Sequence, residues 1–252
     1  LGADRTMATT FFRPSMTAGV WIDGEVGEGV FYRGLIGNGF NTFSLRAGEL
    51  DSNLAYSGML WWEPLGSFGV GFSDLEFHET PVVRVGNAMT YTHNDRGSSG
   101  DPGPEQTVIR LSDGTRLVEP GAIAPGVTVN EFDIALYAVH GGVKYRGICI
   151  SAEYFLRWLT ALRGTGPLPI DSLFDHGYFV QGGFFVVPQR LELFSTGSYV
   201  TGDYGAGSQI GGGANWYLKG RRGSRFTLDV GYLDRSPAQQ DRTGYVAGAS
   251  GT

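Results

Sequence analysis

The sequence predicts an all-β protein, an antiparallel up-and-down transmembrane β-barrel, and three observations carry that expectation. Apolar and polar residues alternate at period two through about ten segments of roughly 8 to 14 residues, the length of a tilted strand crossing a bilayer. Glycine reaches 41 of 252 residues, with 13% aromatic and only 17% charged residues. Long polar connections and tight turns largely alternate along the chain, as short inner turns and long outer loops do in such barrels.

The alternation is clearest toward the C-terminus. Phe226, Leu228, Val230 and Tyr232 share one face, opposite Arg225, Thr227 and Asp229. Ile210, Ala214, Trp216 and Leu218 oppose Gln209, Asn215 and Tyr217, and Leu191, Leu193 and Tyr199 oppose Glu192, Thr196 and Ser198. Ile148, Ile150, Ala152, Tyr154, Leu156 and Trp158 oppose Ser151, Glu153 and Arg157. Earlier segments follow more loosely: Val83, Val85, Met89 and Tyr91 against Arg84, Thr90 and Thr92; Tyr56, Leu60 and Trp62 against Ser57 and Glu63; Val30, Tyr32 and Ile36 against Arg33. Residues 178–187 are apolar on both faces apart from Gln181, so pattern alone does not orient them.

Tight connections are expected at 26–29, 141–143, 188–189 and 219–224. Long ones are expected at 38–53, 92–131 and 160–175, with a shorter one at 201–206. Residues 64–79 break the alternation: they are long but fall on the tight-turn side. Ser112-Asp113-Gly114 reads as a hairpin turn inside the longest loop. Aromatics gather near strand ends, at Trp61, Trp62, Tyr154, Phe155, Trp158, Trp216, Tyr217 and Tyr232, as interfacial girdles do.

Several function classes fall away. No apolar run reaches the length of a membrane helix. A net charge of −6 without a basic run argues against a nucleic-acid partner. The single cysteine, Cys149, forms no internal disulfide and reads as a small wall residue. His78, His93, His140 and His176 lie in no zinc spacing, so no metal and no cofactor is expected. Asp74 and Glu76 read as a solvated turn, and Gly211-Gly212-Gly213 as a thin patch of wall. No nucleophile elbow is present, and no enzyme is expected. By alternation, Asp23, Arg33, Arg84, Glu153, Arg157 and Asp229 face a water-filled lumen, where charge is tolerated and tunes which ions pass.

The stretch Asp4-Arg5-Thr6-Met7-Ala8-Thr9-Thr10-Phe11-Phe12-Arg13-Pro14, followed by Gly19-Val20-Trp21, resembles porins of the phosphate-selective porin O and P family, its planctomycete-type branch above all. Asn53-Leu54-Ala55-Tyr56-Ser57-Gly58 with Trp61-Trp62-Glu63-Pro64, residues 106–117, Thr165-Gly166-Pro167-Leu168-Pro169 and Tyr232-Leu233-Asp234-Arg235-Ser236-Pro237 extend the likeness over most of the chain. The resemblance implies a barrel of about sixteen strands, a homotrimer among outer-membrane lipids of a bacterium, and a passive channel for small anions or polar solutes. This chain then corresponds to ten or eleven of those strands, without the family's front third and last strand. The resemblance makes residues 1–17 a pore-constricting loop, with Arg5 and Arg13 at the constriction favouring anions such as phosphate, and 92–131 a long extracellular loop. The overall acidity and the scarcity of lysine depart from a strongly phosphate-selective pattern. The rival expectation is an outer-membrane barrel whose long loops bind a partner or serve the envelope structurally. The third is an outer-membrane barrel enzyme, for which the sequence shows no nucleophile–base pair, and the last a soluble β-sandwich binding module.

Overall fold

The computed structural model describes residues 5–13, 17–40, 53–95, 109–218 and 224–238. One short helix, α1 (Met7–Phe12), precedes ten strands. These are β1 (Gly19–Glu25), β2 (Val30–Gly37), β3 (Ala55–Trp62), β4 (Val82–Asn94), β5 (Thr128–Tyr145), β6 (Ile148–Thr165), β7 (Leu173–Val187), β8 (Leu191–Gly202), β9 (Gly205–Tyr217) and β10 (Arg225–Asp234). Each strand pairs antiparallel with the next, in the order β1 to β10, so the all-β, up-and-down expectation holds. The sheet's two edges among the described residues are β1 and β10.

The strands do not stack squarely. The register line through Asp23, Arg33, Met59, Ala88, Ala138, Phe155, Gly177, Val200 and Gly207 starts two residues from the turn end of β1. It leaves the sheet two residues from the opposite end of β9. Such a progressive stagger is what tilted strands in a curved, barrel-like wall require.

One face of this sheet is apolar and open. Val20, Ile22, Ile36, Met89, Ile150, Val180, Ile210, Phe226, Leu228 and Val230 all lie on it, each at least 44% exposed. Charged side chains on this face are confined to strand ends, at Glu131, Asp133, Arg163 and Asp234. The opposite face is covered and polar. Arg157, Lys144, Glu192 and Asn215 are each no more than 1% exposed there. A soluble sheet protein buries its apolar face and wets its polar one, so this arrangement is inverted.

The strand middles lie where alternation puts them, and several connections do not. Gly141-Gly142-Val143, expected as a turn, lies inside β5. The reversal falls instead on Arg146 and Gly147, both at positive φ (47° and 81°), a two-residue hairpin of the kind that matches strand twist. Gly142 is small for another reason: a Cβ there would come within 2.9 Å of the Phe68 ring and of Ser151 Oγ. The 160–175 connection shrinks to 166–172 because β6 runs on to Thr165. The 201–206 connection shrinks to Asp203 and Tyr204. The long loop expected over 92–131 spans 95–127, of which 96–108 lie outside the described residues, as do much of 38–53 and 219–224. Residues 178–187 take a clear orientation, with Tyr178, Val180 and Phe184 open and Phe179 and Gln181 covered. Of the aromatics expected in girdles, Trp62, Tyr154, Trp158, Trp216 and Tyr232 are on the open face. By register, Trp61, Phe155 and Tyr217 turn to the covered face instead.

The glycine triplet lies inside strand β9. A Cβ at Gly213 would overlap the Leu228 carbonyl oxygen and meet Phe194 Cζ at 2.9 Å, whereas a Cβ at Gly197 meets nothing within 4 Å. Gly213→Ala is therefore expected to cost about 1–3 kcal/mol. Gly197→Ala should stay within about 0.5 kcal/mol. Urea titration of the protein in detergent, read by tryptophan fluorescence, compares the two.

Candidate functional site

Three segments fold onto the covered face. The first is α1. Thr6 caps it, accepting from the Thr9 amide, and Met7, Ala8, Phe11 and Phe12 bury themselves against Val200, Phe155 and Leu136. Two backbone amides, which have no partner in so short a helix, find acceptors on the sheet. Met7 N–H donates to Gln209 Oε1 (2.6 Å) and Ala8 N–H to Ser198 Oγ (2.9 Å). Phe12 stacks on Phe155, with ring centroids 5.2 Å apart.

The second is the hairpin around Ser112-Asp113-Gly114. Leu111 N–H donates to Thr115 O and Leu117 N–H to Ile109 O, as the Asp-Gly signal suggested. Ile109, Leu111 and Leu117 pack with Phe132, Ile134, Leu159 and Leu173 and close one end of the sheet.

The third is 63–79, which takes in the 64–79 connection that broke the alternation. It contains no strand among the described residues. Instead it crosses the covered face from β4 to β9. Glu63 accepts from Arg84 Nε (2.9 Å) and from the Phe68 amide (2.8 Å). The Arg84 guanidinium and the Lys144 ammonium both sit over the Phe68 ring, at 4.7 and 4.5 Å. Lys144 donates to the carbonyls of Phe68 (2.9 Å) and Val70 (3.4 Å). At the far side Glu192 Oε2 accepts from Ser73, Asn215 and Tyr217, each at 2.9 Å. Glu192 Oε1 is buried without a hydrogen-bond partner. Asp74 is not on a solvated turn. It is fully buried, bonds His78 Nδ1 (2.5 Å) and accepts from the Gly147 amide (2.7 Å). Asp74, Glu76 and His78 offer ligand atoms within 4.8 Å of one another. Both Asp74 oxygens are already committed to protein donors, so the trio reads as a clasp fixing the segment to the β5–β6 turn.

All six charges expected to line a lumen have strand positions on the covered face, in three different settings. Asp23 and Arg33 stand opposite each other in register on the edge pair β1–β2, and Asp229 stands on β10 opposite Gly213. Arg84 is tied to Glu63 at 2.7 Å. Arg157 lines no open space. It is 1% exposed, pairs with Asp175 at 2.8 Å, donates to Arg110 O and lies 4.1 Å over the Phe11 ring. Glu153 has no ion pair among the described residues and lines two recesses on the covered face. One, of about 240 Å³, lies beside 63–79 with Arg84, His140 and Phe179. The other, of about 230 Å³, lies beside α1 with Arg13, Phe12 and Phe155. Arg13 therefore reaches the space in front of the sheet, while Arg5 is exposed at the start of α1.

Sequence reasoning missed the anchors of the covering segments. Glu192 and Glu63 stood on the polar face by alternation, a usable signal, but nothing in pattern pairs them with Ser73 or Phe68. Lys144 was hidden by the misplaced turn. Cys149 is buried in β6, as a wall residue should be. No protein-family model matches this chain, and no curated protein matches it.

Proposed function

We propose that this chain forms the wall of a water-filled outer-membrane channel through which small ions and polar solutes diffuse passively. The observation that carries the reading is the inversion of the sheet. A continuous apolar face spans ten strands without a charge in the strand middles, far beyond the few hundred Å² a soluble monomer exposes. Lipid is the solvent that suits it, and water suits the polar face. Among the described residues β1 and β10 are unpaired edges, and they call for further strands or a second copy, because an unpaired edge is not tolerated in hydrocarbon. A homotrimeric assembly follows from the porin resemblance alone.

The covering segments narrow this lumen from both ends, α1 and the 109–117 hairpin at one and 63–79 at the other. The charges beneath them are paired: Arg84 with Glu63, and Arg157 with Asp175. Anion preference therefore rests on Arg13, with Arg5 assigned to the constriction by the porin resemblance alone, and a strongly phosphate-selective filter is not the reading we favour. The density of these contacts is also what supports the rival reading, a largely filled barrel with a structural or partner-binding role. Efflux of graded sugars from protein-loaded liposomes separates the two: efflux with a size cut-off supports the channel, and retention of every sugar supports the filled barrel.

The lipid-facing assignment has its own test. Leu228→Arg on the open face should cost about 2–4 kcal/mol of stability in bilayers, against about 1 kcal/mol or less for Thr196→Arg on the covered face. Equal costs in a vesicle unfolding titration would remove the assignment.

A further inference from the structure

Resting on the channel reading, we infer that the recess between α1 and β4–β6 binds a small zwitterion of the amino-acid class. Its walls include Thr9, Phe12, Arg13, Leu136, Glu153 and Phe155, around a space of about 230 Å³. Two features point to a ligand there.

First, its two ionisable groups have no protein partner among the described residues. Arg84, Arg157 and Asp175 are satisfied by protein partners, and Glu192 draws three donors. Among the described residues, neither Glu153 nor Arg13 makes an ion pair or a side-chain hydrogen bond, with each other or with any neighbour. Both are half-buried. A charge drawn partly out of water and left unpaired is costly, and a ligand of complementary charge relieves that cost.

Second, the two charges come from different elements. Glu153 is fixed on β6, and Arg13 is the C-cap residue of α1. The space between is apolar and aromatic, with Phe12 stacked on Phe155. A solute with an ammonium group for Glu153, a carboxylate for Arg13 and a short apolar side chain for the phenyl wall meets all three. An inorganic anion meets Arg13 alone and leaves Glu153 without a partner. A simple amine has the converse fault.

The test is calorimetric titration of the purified protein in detergent with L-valine and with its two truncated analogues, isobutylamine and isovalerate. Each charged contact is worth roughly 1.5–3 kcal/mol, so valine should bind at least about tenfold more tightly than either analogue. Glu153→Gln should bring valine down to the level of isovalerate, and Arg13→Gln to that of isobutylamine. Analogue binding as tight as valine, or valine affinity unchanged in either correctly folded variant, would overturn the assignment. The analogue series on the unaltered protein decides the matter even if a variant fails to fold. Binding in detergent needs no conduction. Absent binding with intact sugar efflux therefore rejects the recess and keeps the channel, and the reverse pair of results rejects the channel alone.

Discussion

Replacing Arg157 by alanine is expected to destabilise the protein by about 3–5 kcal/mol, the cost of stranding one member of a buried ion pair. The guanidinium is the junction of three elements. It pairs with Asp175 of β7, donates to Arg110 O of the hairpin and covers the Phe11 ring of α1. Its loss leaves the Asp175 carboxylate, 3% exposed, without its cation. It also unfastens α1 and the hairpin together. The double variant Arg157→Leu with Asp175→Leu should recover most of the stability, because a buried pair replaced by apolar groups is often nearly neutral. Urea unfolding in detergent gives both values. A double variant as unstable as the single one would mean that the hairpin and α1 contacts, rather than the stranded charge, set the cost.

Glu63→Ala should release the segment 63–79 from the covered face. This carboxylate holds Arg84 and the Phe68 amide at once, and Phe68 in turn lies beneath the Arg84 and Lys144 cations. Without it, a partly buried guanidinium and a buried amide lose their acceptor, a loss of about 3 kcal/mol, or about 100-fold in the population of the released segment. Since 63–79 crosses the face from β4 to β9, its release, on the proposed channel reading, widens the lumen and raises the unit conductance. A conductance identical to the unaltered protein's, in a variant whose 63–79 segment becomes sensitive to protease, would show that the segment does not lie in the path.

The strand middles and their facing were legible because one face of the sheet is apolar and the other polar, and a one-residue slip would move every charge to the apolar face. Residues 178–187 were not, since Phe179 and Phe185 turn toward the covered face and carry no polar mark. Turns were legible where φ requirements left a signature, as at 26–29 and Pro188-Gln189. They were misread at Gly141-Gly142, where glycine answers the close approach of Phe68 instead of a reversal. The lining charges were found by facing alone. Their engagement was not, because Glu63–Arg84 and Arg157–Asp175 are separated by 21 and 18 residues and joined only by register. The covering role of 63–79 left no periodic signal at all, since Phe68, Ser73 and Asp74 are each placed by a different partner.

Single-channel recording in a planar bilayer under a salt gradient tests the central claim most directly. Steady ohmic steps, with an anion preference that Arg13→Gln weakens, are the expected result. Folded protein that inserts into the bilayer and passes no current would contradict the channel and leave a filled barrel in its place.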